Sequence, residues 1–202
     1  NLTANITTSG DIWSDGGNGE GKAAWNGSAG FMLNDRILLG GIWGQYDLFA
    51  FNLSDVSDTP WRNKIIDKWN FSFTSFDTNA QLKTDIAFNG YTLWVYNQTS
   101  ATTGIIYRTN FPNKPIQPTD NFTVTLLGGI VWANGDLYSC NATTTLTNIN
   151  KHNSSNLSQI IQVFELNLGA VCRDIEFDGT KFWLRRSGTN NLTVTTELNY
   201  SI

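Results

Sequence analysis

Apolar and polar residues alternate with a period of two through much of this chain, in short runs broken by Gly, Asn and Asp. That period places successive side chains on opposite faces of an extended strand. The opening is the cleanest case, with Leu2, Ala4, Ile6 and Thr8 set against Asn1, Thr3, Asn5 and Thr7. A glycine-rich stretch follows, Gly16-Gly17-Asn18-Gly19-Glu20-Gly21, which no regular element accommodates cheaply and which reads as a hinge. Three parts result: an amphipathic strand at 1–10, a linker at 11–21 and a body at 22–202.

Within the body the pattern predicts strands near 22–32, 36–43, 46–54, 70–76, 84–88, 91–96, 104–109, 121–126, 129–133, 136–140, 159–166, 172–177, 181–186 and 191–201. Tight hairpins are signalled at Asn89-Gly90, Asn134-Gly135 and Asp178-Gly179, dipeptides suited to positive φ. One short helix is predicted from Thr59-Pro60-Trp61 to Trp69, with a capping Thr, proline at its first position, and Trp61, Ile65 and Trp69 spaced by four. The proline-rich stretch Phe111–Pro118 reads as an extended connector. Many short strands with frequent turns define an all-β chain, either a sandwich or a barrel. One internal echo stands out, in which 85–94 matches 174–183 as strand, turn and aromatic return strand. Such hairpins suit β-propeller blades and keep a propeller as the alternative. The offset of about 90 residues, with no other segment read as repeating at 40–45, weighs against it.

Composition changes the picture in one respect. Sequons N-x-S/T begin at Asn1, Asn5, Asn26, Asn52, Asn70, Asn97, Asn121, Asn141, Asn153, Asn156, Asn191 and Asn199. Random pairing of the Asn, Ser and Thr present would give only about four or five. In Asn70-Phe71-Ser72, Asn121-Phe122-Thr123 and Asn191-Leu192-Thr193 the strand period puts the acceptor and its hydroxyl residue on the face opposite the apolar residues. The expectation is an exported, N-glycosylated protein of the cell exterior, with glycans as its covalent additions and no other cofactor. Its start at Asn1, with Met32 the lone methionine, fits removal of a signal peptide. Cys140 and Cys172 then predict one disulfide, closing a loop of about 30 residues for roughly 3–4 kcal/mol.

Charge excludes more than it suggests. Charged residues make up 15% of the chain and the net charge is −4, without the basic face that nucleic acid needs. No apolar run is long enough for a membrane span. So few titratable groups also suit an acidic exterior, since little native pairing is lost as carboxylates protonate.

Candidate chemistry is sparse, and no enzyme is expected. His152 is the lone histidine, in a polar stretch between sequons that reads as a glycosylated loop unsuited to a buried base. Two distant cysteines and one histidine do not make a zinc site, so no metal is expected. Glu165 and Glu176 are the carboxylate pair considered for glycoside hydrolysis. Asp11, Asp15, Asn18 and Glu20 lack calcium-loop spacing and read as linker. Trp94 and Trp183 read as core, whereas Trp13 and Trp25 flank the linker as interface candidates.

The opening Asn1-Leu2-Thr3-Ala4-Asn5-Ile6-Thr7, the dense sequons, the lone cysteine pair and the low charge together resemble the subunits of archaeal threads, glycosylated surface filaments of Sulfolobus-type thermoacidophiles. The resemblance implies an immunoglobulin-like, pilin-like β-sandwich with an N-terminal donor strand. Leu2, Ala4, Ile6 and Thr8 would enter a groove of the next copy, so the expected partner is the chain itself, in a head-to-tail filament serving adhesion. A monomeric secreted carbohydrate-binding or carbohydrate-active protein, propeller or lectin-like, is the rival expectation.

Overall fold

The computed structural model describes residues 30–34, 37–41, 47–52, 65–73, 84–141, 147–166, 171–186 and 192–194. The proposed donor strand with Leu2, Ala4, Ile6 and Thr8, the linker, Trp13, Trp25, and the sequons at Asn1, Asn5, Asn26, Asn191 and Asn199 lie outside those residues.

Every described element is a strand. β1 (Gly30–Asn34), β2 (Ile37–Gly41), β3 (Asp47–Asn52) and β4 (Ile65–Asn70) pair in chain order as one antiparallel sheet. The second sheet is β5 (Thr84–Phe88), β6 (Leu93–Gln98), β7 (Thr103–Thr109) and β8 (Pro118–Thr125). The third is β9 (Leu127–Ala133), β10 (Asp136–Asn141), β11 (Thr147–Asn153) and β12 (Asn156–Leu166). The fourth holds β13 (Cys172–Phe177), β14 (Phe182–Arg186) and β15 (Leu192–Val194).

The first strands of successive sheets lie together, β1 against β5, β5 against β9 and β9 against β13. Three apolar cores fill the spaces between sheets. Leu48, Ala50, Trp69 and Phe71 of the first sheet meet Ile86, Leu93 and Val95 of the second. Ala87, Trp94, Tyr96 and Ile106 of the second meet Leu127, Ile130 and Leu137 of the third. Val131, Ala133 and Tyr138 of the third meet Ile175, Phe182 and Leu184 of the fourth. The run Leu93-Trp94-Val95-Tyr96 shows the logic in four residues. Leu93 and Val95 enter one core while Trp94 and Tyr96 enter the next, so both faces of the strand are dry.

Those faces explain why the immunoglobulin-like sandwich finds no counterpart among the described strands. Two sheets packed face to face leave each an outer face in water and strands that alternate in polarity. Here the middle sheets are covered on both sides, and four small sheets succeed one another instead of two facing.

The hairpin signals hold. Asn134 and Gly135 both take positive φ, 49° and 88°, in the two-residue turn from Ala133 to Asp136. Gly90 and Gly179 take φ of 98° and 96° in four-residue turns of one design. Asn89 Oδ1 accepts from the N–H groups of Tyr91 and Thr92, and Asp178 Oδ1 from those of Thr180 and Lys181. The predicted helix does not extend through 65–69. Ile65 to Asn70 form β4, zipped to β3 from Phe51↔Ile65 to Asp47↔Asn70, and the earlier part of that helix falls outside the described residues. The spacing of Ile65 and Trp69 was helical, but sheet pairing and burial of Trp69 override it.

Candidate functional site

The inner strands carry three carboxylates that converge. Asp85 opens the buried part of β5, where its Oδ1 accepts from the Ile86 N–H at 2.8 Å and its Oδ2 from the Ile130 N–H of β9 at 2.7 Å. This side chain therefore ties the second sheet to the third. Asp174 holds the matching place in β13, its Oδ1 accepting from the Ile175 N–H at 3.0 Å. Both reach the same glycine of the strand between them. A Cβ on Gly129 would stand 2.8 Å from Asp85 Oδ2 and 3.0 Å from Asp174 Oδ1. Its neighbour Gly128 admits the next strand equally closely, since a Cβ there would fall 2.4 Å from the Cys172 carbonyl oxygen. The Gly-Gly pair is what allows β9 to run between two acidic strands.

Glu176 completes the group. Along β13, Ile175 and Phe177 turn into the third core, so Asp174 and Glu176 share the opposite face. Glu176 is exposed by its accessible surface, although protein crowds its carboxyl. Burial, then the charge of Asp174, then that of Asp85, hold its pKa well above the ordinary carboxyl range. Nothing among the described residues hydrogen-bonds or ion-pairs with its carboxylate. Close by, Tyr96 donates nothing to the group. Its hydroxyl oxygen accepts from the Leu127 N–H at 3.0 Å, and burial lifts its pKa to about 12.

Chemically, the cluster offers acceptors, and at Glu176 a carboxyl whose pKa is held above the ordinary range. Among the described residues no three His, Cys, Asp or Glu side chains are placed to share a metal ion. The pairing of Glu165 with Glu176 is not formed. Glu165 sits opposite Asn148 on β12, the outermost strand of its sheet, while Glu176 is on an inner strand.

His152 is not in a loop. It lies in β11, 1% exposed, its Nδ1 against the Leu157 carbonyl oxygen at 2.6 Å and its Nε2 against Ser139 Oγ at 2.7 Å. The Nδ1–H donates to the carbonyl, which leaves Nε2 to accept from the buried serine hydroxyl. Both side chains are sealed from water, so the pair fastens β10, β11 and β12 together and does no chemistry on a ligand. The sequon pattern around 153–156 concealed a strand whose apolar positions are few. Burial depresses the pKa of this histidine, outweighing the bond to Leu157. Its folded-state pKa lies below its unfolded value of about 6.5, so stability is full above that pH and falls as pH drops below it. The expected slope approaches about 1.4 kcal/mol per pH unit, that of one proton. Denaturant titrations between pH 8 and 5 measure it, and His152→Gln should flatten the dependence there.

Cys140 and Cys172 form the predicted disulfide, linking β10 to β13 across the third core. Trp94 is buried in the second core as read, whereas Trp183 is half-buried, its indole N–H donating to Asp178 Oδ2 at 2.7 Å. Of the site, only Glu176 was singled out from sequence. Asp85 and Asp174 stood in view as matched positions of the internal echo, and Gly128-Gly129 within an apolar strand is the signal for close backbone approach.

Antiparallel meanders that follow one another, inner strand beside inner strand with a core between each pair, have the arrangement of β-propeller blades. No family model matches the chain, and no curated protein matches it. Among solved structures it is similar to the glutaminyl cyclase of Myxococcus xanthus, at 9% identity and a TM-score of 0.54, over 83% of this chain and 68% of that one. It is also similar to the β-propeller domain of Cps50 (Swd1) from Myceliophteria thermophila, with 10% identity, a TM-score of 0.41, and coverage of 75% of this chain and 46% of that one. The Dos1 propeller is matched at 14% identity and a TM-score of 0.42, over 85% of this chain and 46% of that one. The chain thus spans about two thirds of the cyclase chain and less than half of the other two. The first of these likenesses bears on fold alone.

Proposed function

We propose that this chain is an exported propeller-type protein that binds carbohydrate at the inner-strand cluster of Asp85, Asp174 and Glu176. The observation that carries the reading is the convergence of Asp85 and Asp174, from two different sheets, on Gly129, with Glu176 near enough to feel both charges and without a hydrogen-bond partner among the described residues. A polyhydroxylated ligand brings hydroxyl donors to carboxylates, and carboxylates that accept several hydrogen bonds fix a sugar's orientation as well as its affinity. The disulfide fits an oxidising, extracellular location.

The test is an oligosaccharide array followed by titration calorimetry on wild type, Glu176→Gln and Asp174→Asn. Binding of at least one sugar class is expected, with a loss of tenfold or more (about 1.4 kcal/mol) in each variant. Absence of binding across the array, or variants that bind as wild type does, sinks the reading.

A second reading, hydrolysis of the bound sugar, is favoured by the raised pKa of Glu176 beside two further carboxylates, since a carboxyl that holds its proton suits a general acid. Cleavage of a bound oligosaccharide that disappears in Glu176→Gln would move the protein to that class. Light scattering separates both from the thread expectation: a ligand-binding propeller should be monomeric, and heat-resistant multimers would return attention to residues 1–10.

A further inference from the structure

Sequons whose acceptor residues lie within the described strands are not equivalent. In three of them the acceptor is exposed, the middle residue is turned inward, and the hydroxyl residue is exposed again. These are Asn70-Phe71-Ser72, Asn121-Phe122-Thr123 and Asn156-Leu157-Ser158. The pattern anchors the sequon through its apolar residue and leaves the amide Nδ2 and the hydroxyl side by side in solvent. Each of the three acceptors belongs to the outermost strand of its sheet, β4, β8 and β12 respectively, although at the end of β4 the Asn70 carbonyl already accepts from the Ile116 N–H at 2.9 Å. No other sequon with all three residues described combines these features. Asn97 is half-buried on β6, an inner position with partners on both sides, Thr84 and Ile105. Asn153 is half-buried and already commits its Nδ2 to Gln159 Oε1 at 2.9 Å and its Oδ1 to the Ser155 N–H.

From this placement we infer that Asn70, Asn121 and Asn156 are N-glycosylated, one on the outermost strand of each of the first three sheets. In the modification each Nδ2 forms a bond to C1 of an oligosaccharide, the bond from C1 to a lipid-linked phosphate breaks, and one amide proton is lost. The donor is a lipid-phosphate-linked oligosaccharide supplied by the export machinery. An outermost strand presents a row of unpaired backbone groups to other chains, and a glycan there blocks edge-to-edge pairing. β12 most needs such cover, because Ile160, Ile161 and Val163 are exposed along it. No sequon begins in β1, β5, β9 or β13, so glycans on these three outermost strands lie away from Asp85, Asp174 and Glu176.

Glycopeptide mass spectrometry tests the assignment on the full chain exported by a host with an N-glycosylation pathway. High occupancy is expected at Asn70, Asn121 and Asn156, and little or none at Asn97. The assignment is overturned if those three are bare, or if Asn97 is occupied to the same extent. A variant carrying Ser72→Ala, Thr123→Ala and Ser158→Ala removes the three sequons without altering buried residues. It should melt cooperatively yet self-associate in light scattering, whereas a monodisperse variant of the wild-type polypeptide's size would overturn the edge-shielding role. Neither arm depends on carbohydrate binding at the centre.

Discussion

Replacing Cys140 and Cys172 together by alanine is expected to destabilise the protein by about 3–4 kcal/mol, the loop-closure contribution for a sequence separation of 32. The bond spans two sheets, from β10 in the third to β13 in the fourth, and both sulfurs are buried in the core between them. The fourth sheet has three described strands where the third has four, and its side chains reach only one described core. Losing the link therefore frees the part of the molecule that carries Asp174 and Glu176. Urea unfolding of the variant beside wild type, and of wild type with reductant, measures the loss. For a chain of this size it corresponds to a fall in Tm of roughly 10 °C. A change below about 1 kcal/mol would mean that the third core holds the fourth sheet unaided.

The second large effect lies between the second and third sheets. Trp94 is buried and stacks on Trp132 with ring centroids 4.7 Å apart and planes 8° from parallel. Trp94→Ala should cost about 3–5 kcal/mol, the range for deleting a buried aromatic ring. Trp94→Phe should cost much less, because the buried indole N–H has no hydrogen-bond partner among the described residues and its removal leaves nothing newly unsatisfied. Equal losses in the two variants would contradict that account and point to a partner for Nε1.

The succession of small antiparallel sheets is more legible in the sequence than the strand alternation suggests. Asn89-Gly90, Asn134-Gly135 and Asp178-Gly179 stand 45 and 44 residues apart, so Asn134-Gly135 falls midway between the two echoing hairpins. The period of 40–45 residues whose lack weighed against a propeller is present in the spacing of these three turns. It escaped notice because the middle turn is a different type, with two residues in place of four, and because Ile130 replaces the aspartate found at 85 and 174. Runs such as Leu93-Trp94-Val95-Tyr96 carried the other clue, since a strand apolar on both faces must be covered on both.

What remained hidden has physical reasons. β11 is rich in Asn and Lys, and its burial comes from Ile149, Asn150 and His152 held by pairing on both sides, which no hydrophobic pattern announces. The candidate site joins residues 89 and 91 positions apart, a proximity created by packing of inner strands and not by local sequence. The donor strand drawn from the opening alternation concerns residues outside the described ones.

Glu176 ties the site to stability through a sign of its own. Its folded-state pKa is raised, so it favours the native state at pH below the unfolded carboxyl value and opposes it increasingly as pH rises toward the folded value. Glu176→Gln should accordingly stabilise the protein at neutral pH and change little near pH 4.

The most direct measurement is a carbon-detected NMR titration of the Glu176 carboxyl in wild type and in Asp174→Asn, with and without the best-binding oligosaccharide. The account requires a midpoint well above the ordinary carboxyl range that falls when Asp174 loses its charge and shifts again when sugar binds. A Glu176 that titrates as a free surface glutamate, indifferent to both, would contradict it.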